Sequence, residues 1–205
     1  MPTLLTLPRE LRLEIYSHLT NPSPLSYPYR HSPISSITHR PPPSALQRTC
    51  HLIHSEVTAY FHSTATLRFV AQHFQRVYDD ANYAACLRAI RLAKKVEIVL
   101  IWNVDAKRAT WDEEVWPWNY KGFVEHTVGL LVSEGTSLEV LTLSVRDGCN
   151  KEVEWGVKER MLAPLEGLAG RVTIVLGEVM VLDDREAELR GWLEKYLRLL
   201  NSIEP

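Results

Sequence analysis

Three short runs in the second half of the chain constrain its fold more than any other feature. They are VEIVLIW (Val96–Trp102), SLEVLTLSV (Ser137–Val145) and RVTIVLG (Arg171–Gly177). Each is rich in Val, Leu and Ile, so they read as strands, although valine and leucine carry most of them and also suit helices. VEIVLIW is dense enough in apolar residues for burial on both faces. Helical patterns lie between the runs, one around 120–134 closed by Gly135 in the C-cap role, another around 158–168 ended by Gly167 or Gly170. A last amphipathic helix, capped by Asp183, runs through Leu200. Strands alternating with helices predict right-handed βαβ connections and a mostly parallel sheet. The strands recur at uneven intervals of roughly 30 to 45 residues, which argues against a solenoid.

The first half is helical in pattern. Pro8 suits the first helical position and Glu10 the first turn, where a negative charge is favoured. Leu11, Ile15 and Leu19 then recur at spacing four as one apolar stripe, with Arg9, Arg12 and Glu14 outside it. Asn21-Pro22 stops this helix near Thr20. Residues 21–44 hold seven of the twelve prolines, six serines and no acid, the composition of an extended linker or mobile loop. From Ser44 the pattern SALQRTCHLIHSEVTAYFHS is helical, with Leu46, Cys50, Ile53, Val57 and Tyr60 as its core-facing seam. Thr66–Val70 alternates as a short strand. Residues 71–93 look helical in two pieces, with Phe74, Val77, Tyr83, Leu87 and Ile90 as the apolar set.

Charge separates the halves. Residues 1–92 carry nine Arg, no Lys and five acids, a net of +4, together with seven of the eight His. Residues 93–205 carry fourteen basic and twenty acidic residues, a net of −6. The total of −2 argues against a nucleic-acid-backbone binder, whereas the positive half suits an acidic protein partner. Cys50, Cys86 and Cys149 are few, far apart and odd in number, as buried thiols in a reducing compartment are. No run is long enough to span a bilayer and the N-terminus lacks a basic region before its apolar stretch, so a soluble intracellular protein is expected, with no membrane partner.

Chemistry has little to stand on. No phosphate-binding glycine loop, nucleophile elbow or HExxH motif is present. Cys50, His51, His54 and His62 resemble a metal set by spacing, but on one helix they face different ways. No metal, cofactor or catalytic residue is expected, and the chain does not read as an enzyme. Recognition has more support. If the sheet is parallel, its carboxyl ends at Trp102, Val145 and Gly177 bring the loops 103–119, 146–157 and 178–182 to one rim. These loops carry Trp111, Trp116, Trp118 and Trp155, indoles beside Asp112, Glu113 and Glu114, and they are the expected target-binding residues.

LLTLPRELRLEIYSHL resembles the opening of the F-box-like domains of filamentous fungi. ALQRTCHLIHSEVTAYFHSTATLRF is similar to their continuation, with Leu46, Cys50, Ile53 and Glu56, then Tyr60-Phe61 before Thr66–Phe69. The chain departs from a standard F-box in the long insert 21–44 and in having Ile53 or His54 where a tryptophan usually stands late in the second helix. The resemblance implies docking on an acidic Skp1-type adaptor through Leu7, Pro8, Leu11, Ile15 and Leu19. It also implies a role as substrate receptor, tethering a target protein to a cullin–RING ubiquitin ligase without chemistry of its own. A stand-alone binding domain that has lost the adaptor is the alternative. The expected architecture is α/β or α+β: an F-box-like helical region over 1–62 with the insert 21–44, then an interaction domain over 63–205 with a mostly parallel βαβ sheet and flanking helices.

Overall fold

The computed structural model describes residues 3–27, 32–71, 80–102, 115–148, 154–182 and 184–203, with the side chains of all but 80–82 and 115–119. Among the described residues seven α-helices and six strands follow in the order α1 (Arg9–Leu19), β1 (Pro22–Ser26), β2 (Ser36–His39), α2 (Ser44–Gln47), α3 (His51–Thr64), β3 (Thr66–Val70), α4 (Asp80–Leu92), β4 (Lys95–Trp102), α5 (Val115–Glu134), β5 (Val140–Asp147), α6 (Trp155–Leu162), β6 (Thr173–Val181) and α7 (Glu186–Asn201). All six strands form one sheet in sequence order. β1, β2 and β3 are antiparallel neighbours, and β3 through β6 are parallel.

The mostly parallel sheet with flanking helices is thus the observed architecture. Because strands adjacent in sequence are adjacent in the sheet, right-handed crossovers put successive helices on the same face. The core bears this out. Leu67, Phe69, Ile98, Leu100, Leu143 and Ile174 share one buried cluster with Ile90, Val124, Leu162 and Leu193 of the helices. Apolar residues on the other face of the same strands, Val70, Val99, Ile101 and Val140, stand outside that cluster. β4 therefore buries one face fully, while its second face mixes Lys95, Glu97, Val99 and Ile101.

Several expectations change. Residues 21–44 are not a structureless linker, because β1 and β2 extend the sheet and Ile34 and Ile37 are buried in its core. Serines do the fastening: the Ser35 hydroxyl accepts from Val70 N–H at 3.1 Å, and the Ser35 carbonyl accepts from Tyr27 N–H at 3.0 Å. The sheet and its core consequently run across the expected boundary at 62/63. The helix expected from Ser44 is interrupted at 48–50, where α2 ends and Cys50 takes the N-cap position of α3. β6 continues past Gly177 to Val181, so residues 178–181 are strand and not a rim loop. α5 starts at Val115, which puts Trp116 and Trp118 in its first turn instead of a loop. Gly135 does close α5, its N–H bonding to Leu131 O at 2.9 Å; a Cβ there would lie 2.5 Å from that oxygen. Phe74, Val77, Cys149 and Asp183 lie outside the described residues. Among the described residues no helix is long and apolar enough to cross a membrane.

Candidate functional site

The first turns of the chain set the orientation of α1. Pro8 occupies its N-cap position, and Leu7 is half-buried just before it. The side of α1 turned toward the protein carries Arg12 and Tyr16, both buried. Arg12 lies inside the interface and not outside it, as the amphipathic pattern suggested. Its Nε donates to Glu56 Oε2 at 2.8 Å and its Nη2 to Oε1 at 2.6 Å, a two-pronged contact with α3. The third guanidinium nitrogen, Nη1, donates to Leu7 O at 2.6 Å, and Tyr16 Oη donates to Glu56 Oε2 at 3.2 Å.

This geometry accounts for the ionisation of the group. Hydrogen bonding from Arg12 holds the Glu56 carboxyl below the usual carboxylate range, and the same contact raises Arg12. Burial, then the neighbouring carboxylate, pushes the Tyr16 phenol up. Tyr16, Ile53 and Val57 are buried yet stand outside the main core, with Tyr60 tilted against Tyr16 at 6.2 Å between centroids. Phe61, one turn further along α3, is in the main core, so α3 joins α1 to the sheet.

With Arg12 and Tyr16 facing inward, the stripe of the same helix faces outward. Leu11 is 51% exposed, Leu19 37%, and Ile15 half-buried between them. Pro8 is exposed as well, and Leu5 and Leu52 add exposed apolar area on the flanking turn and on α3. The five residues expected to meet an adaptor are thereby brought onto one helix and its entry turn. Sequence periodicity does not single out Leu5, Leu52 or the Arg12–Glu56 contact. No local pattern announces a pair 44 residues apart.

The tryptophans are less uniform. Trp155 opens α6 and stacks on Trp192 of α7, with ring centroids 5.8 Å apart and planes 16° off parallel. Tyr196 meets the same ring edge-on at 6.2 Å. Trp155 therefore packs beneath the last helix. Trp111 lies outside the described residues, as do the side chains of Trp116 and Trp118. At the carboxyl ends of β4 and β5 a different group comes together. Lys158 Nζ bonds Asp147 Oδ2 at 2.8 Å, both side chains buried, and lies 5.3 Å from the centre of the buried Trp102 ring. The Trp102 indole N–H has no hydrogen-bond partner among the described residues. Among those residues no three His, Cys, Asp or Glu side chains come together as a metal site, and Cys86 is buried while Cys50 is half-buried.

Set against models of known protein families, against curated proteins and against solved structures, the chain matches none.

Proposed function

We propose that the chain is a non-enzymatic interaction protein, an F-box-like substrate receptor that tethers a target protein to a Skp1–cullin–RING ubiquitin ligase. The observation that carries this reading is the outward apolar stripe of α1. Leu11 and Leu19 lie in water although a helix of this composition could have buried them, and the Arg12–Glu56 contact fixes the rotation that leaves them there. Exposed leucines arranged along one helix face suit a partner's apolar groove. Leu7, Pro8, Leu11, Ile15 and Leu19 form the adaptor-facing set, and the positive N-terminal half favours the acidic adaptor. Target contact is assigned to Trp111, Trp116, Trp118 and Trp155, the last of which stacks on Trp192 of α7.

The test is co-purification with a purified Skp1-type adaptor. Leu11→Asp with Ile15→Asp should abolish capture while circular dichroism and the melting temperature of the free protein stay unchanged. Two carboxylates in an apolar contact cost several kcal/mol, on the order of the penalty for an unpaired buried charge. Trp116→Ala and Trp118→Ala should leave adaptor capture intact. A wild-type protein that folds normally and fails to capture the adaptor would overturn the receptor reading and leave the stand-alone binding domain.

A further inference from the structure

The two edges of the sheet are built differently. β1, at one end, contains Pro22 and Pro24, which offer no N–H to an incoming strand. β6, at the other end, is paired among the described residues only with β5 and has no proline. On its second face, away from the core, Val175 is 38% exposed and Met180 49%, and Leu182 just beyond the strand is 74% exposed.

Two details of β6 restrict what its edge can accept. The first is a register slip against β5 between Leu176 and Val179. Gly177 and Glu178 both project onto the second face there. A Cβ on Gly177 would meet Ser144 Oγ at 2.3 Å and Thr142 Cγ2 at 2.6 Å, and Glu178 reaches Arg146 on the same side. From Ile174 to Val181 the side chains therefore face core, open, core, open, open, core, open, core, an order that reads the same in both directions. The residue types mirror as well: Ile174 with Val181, Val175 with Met180, Leu176 with Val179. The second detail is Asn201 at the end of α7. Its side chain accepts from Ile174 N–H at 2.9 Å and donates to Ile174 O at 2.7 Å. The outward backbone groups of Ile174 are thus taken, and an added strand can begin only at Val175.

We infer that β6 pairs antiparallel with β6 of a second copy of this chain, about a two-fold axis between Gly177 and Glu178. Val175 of each copy lies directly opposite Met180 of the other. Residues opposed across an antiparallel pair share a face, and the bulge is what allows this register to satisfy that rule along the whole overlap. The overlap runs from Val175 to Met180 and is closed at both ends by the Asn201 side chains. Four exposed apolar side chains leave water together on the second face. The two Glu178 carboxylates approach near the axis, but each is held by Arg146 of its own sheet, Nη2 to Oε2 at 2.8 Å, so they do not meet as bare like charges. An isologous contact of this kind closes as a dimer and does not propagate.

Sedimentation equilibrium of the full chain over a wide concentration range tests this, with a reversible monomer–dimer equilibrium as the expected result. Val175→Lys and Met180→Glu should each weaken association about tenfold or more, because each change enters the interface twice. Both positions are exposed, so the circular dichroism of either variant should match that of the wild type. An equimolar mixture of the two variants should recover association, since this register sets the introduced ammonium against the introduced carboxylate and keeps one native Val–Met contact. A monomer at every concentration would overturn the inference. So would a dimer indifferent to both substitutions, or a mixture that fails to recover.

Discussion

Arg12 and Glu56 stand 44 residues apart and make the two-pronged contact by which α1 is turned. Tyr16 adds the apolar part of the attachment, and no residue of α1 belongs to the main core. Helix and sheet should accordingly loosen at different points. The native pKa of Glu56 lies below its unfolded value. Its contribution is therefore complete above the ordinary carboxylate range and lost as pH falls through the native value. Amide exchange in α1 should rise below about pH 4, while β4 and β5 stay protected. Glu56→Gln should give the same loosening at neutral pH. Equal protection of α1 and β5 down to the global acid transition would show that the contact does not govern the helix. The Lys158–Asp147 pair is a residue-scale feature of another kind, buried within the fold and tying α6 to the end of β5. Neither pair could be matched from sequence, because an ion pair between distant residues leaves no periodic signature.

At the scale of elements, local pattern located most of the regular structure. The alternation at Thr66–Val70 matches the ends of β3, and the runs at 96–102, 137–145 and 171–177 each overlap a strand. Ends were less legible. β6 outlasts its apolar pattern because Glu178 N–H is taken by the Ser144 hydroxyl at 3.1 Å, a side-chain contact that carries the strand through the bulge. Edge protection is also decided here. Asn201, at the last turn of α7, gives Ile174 the two hydrogen bonds that a seventh strand would supply. Asn201→Ala should destabilise the protein by about 1–2 kcal/mol, as two amide bonds of modest net worth are lost. Urea denaturation would measure it. A change within error would mean that water replaces the side chain at no cost. Removing the clamp should also raise amide exchange at Ile174 before it affects Leu143, which lies inside the sheet.

At the scale of the whole molecule, the insert 21–44 is part of the body of the protein. Pro and Ser composition pointed to a linker because those residues rarely sit inside a sheet. β1 is an edge strand, where a missing N–H on the outer side costs nothing, so the prolines fit. Ile34 shows the consequence, being 1% exposed and packed in the main core although it precedes β3 by a long stretch of chain. Ile34→Ala should cost roughly 2–5 kcal/mol in global stability, the range for emptying a buried aliphatic site. A loss under about 0.5 kcal/mol, the usual size for a surface change, would return the insert to the surface.

What the sequence determined by itself was what depends on near neighbours: the helical character of α1, α3 and α4, the short strand at 66–70, the parallel α/β character of the second half, and the apolar stripe of α1. Periods of two and three to four residues are local, and a single chain displays them directly. The tertiary structure alone decided which side of α1 faces water, because that turns on Glu56 of another helix. It also decided that β1 and β2 join the sheet, since β3 supplies hydrogen-bond partners to β2, and β2 to β1. Trp155 packs beneath α7 for the same kind of reason: Trp192 and Tyr196 are brought to it only when β6 and α7 have folded back. In each case the deciding partner lies far along the chain, and its contribution exists only once the backbone has closed the distance.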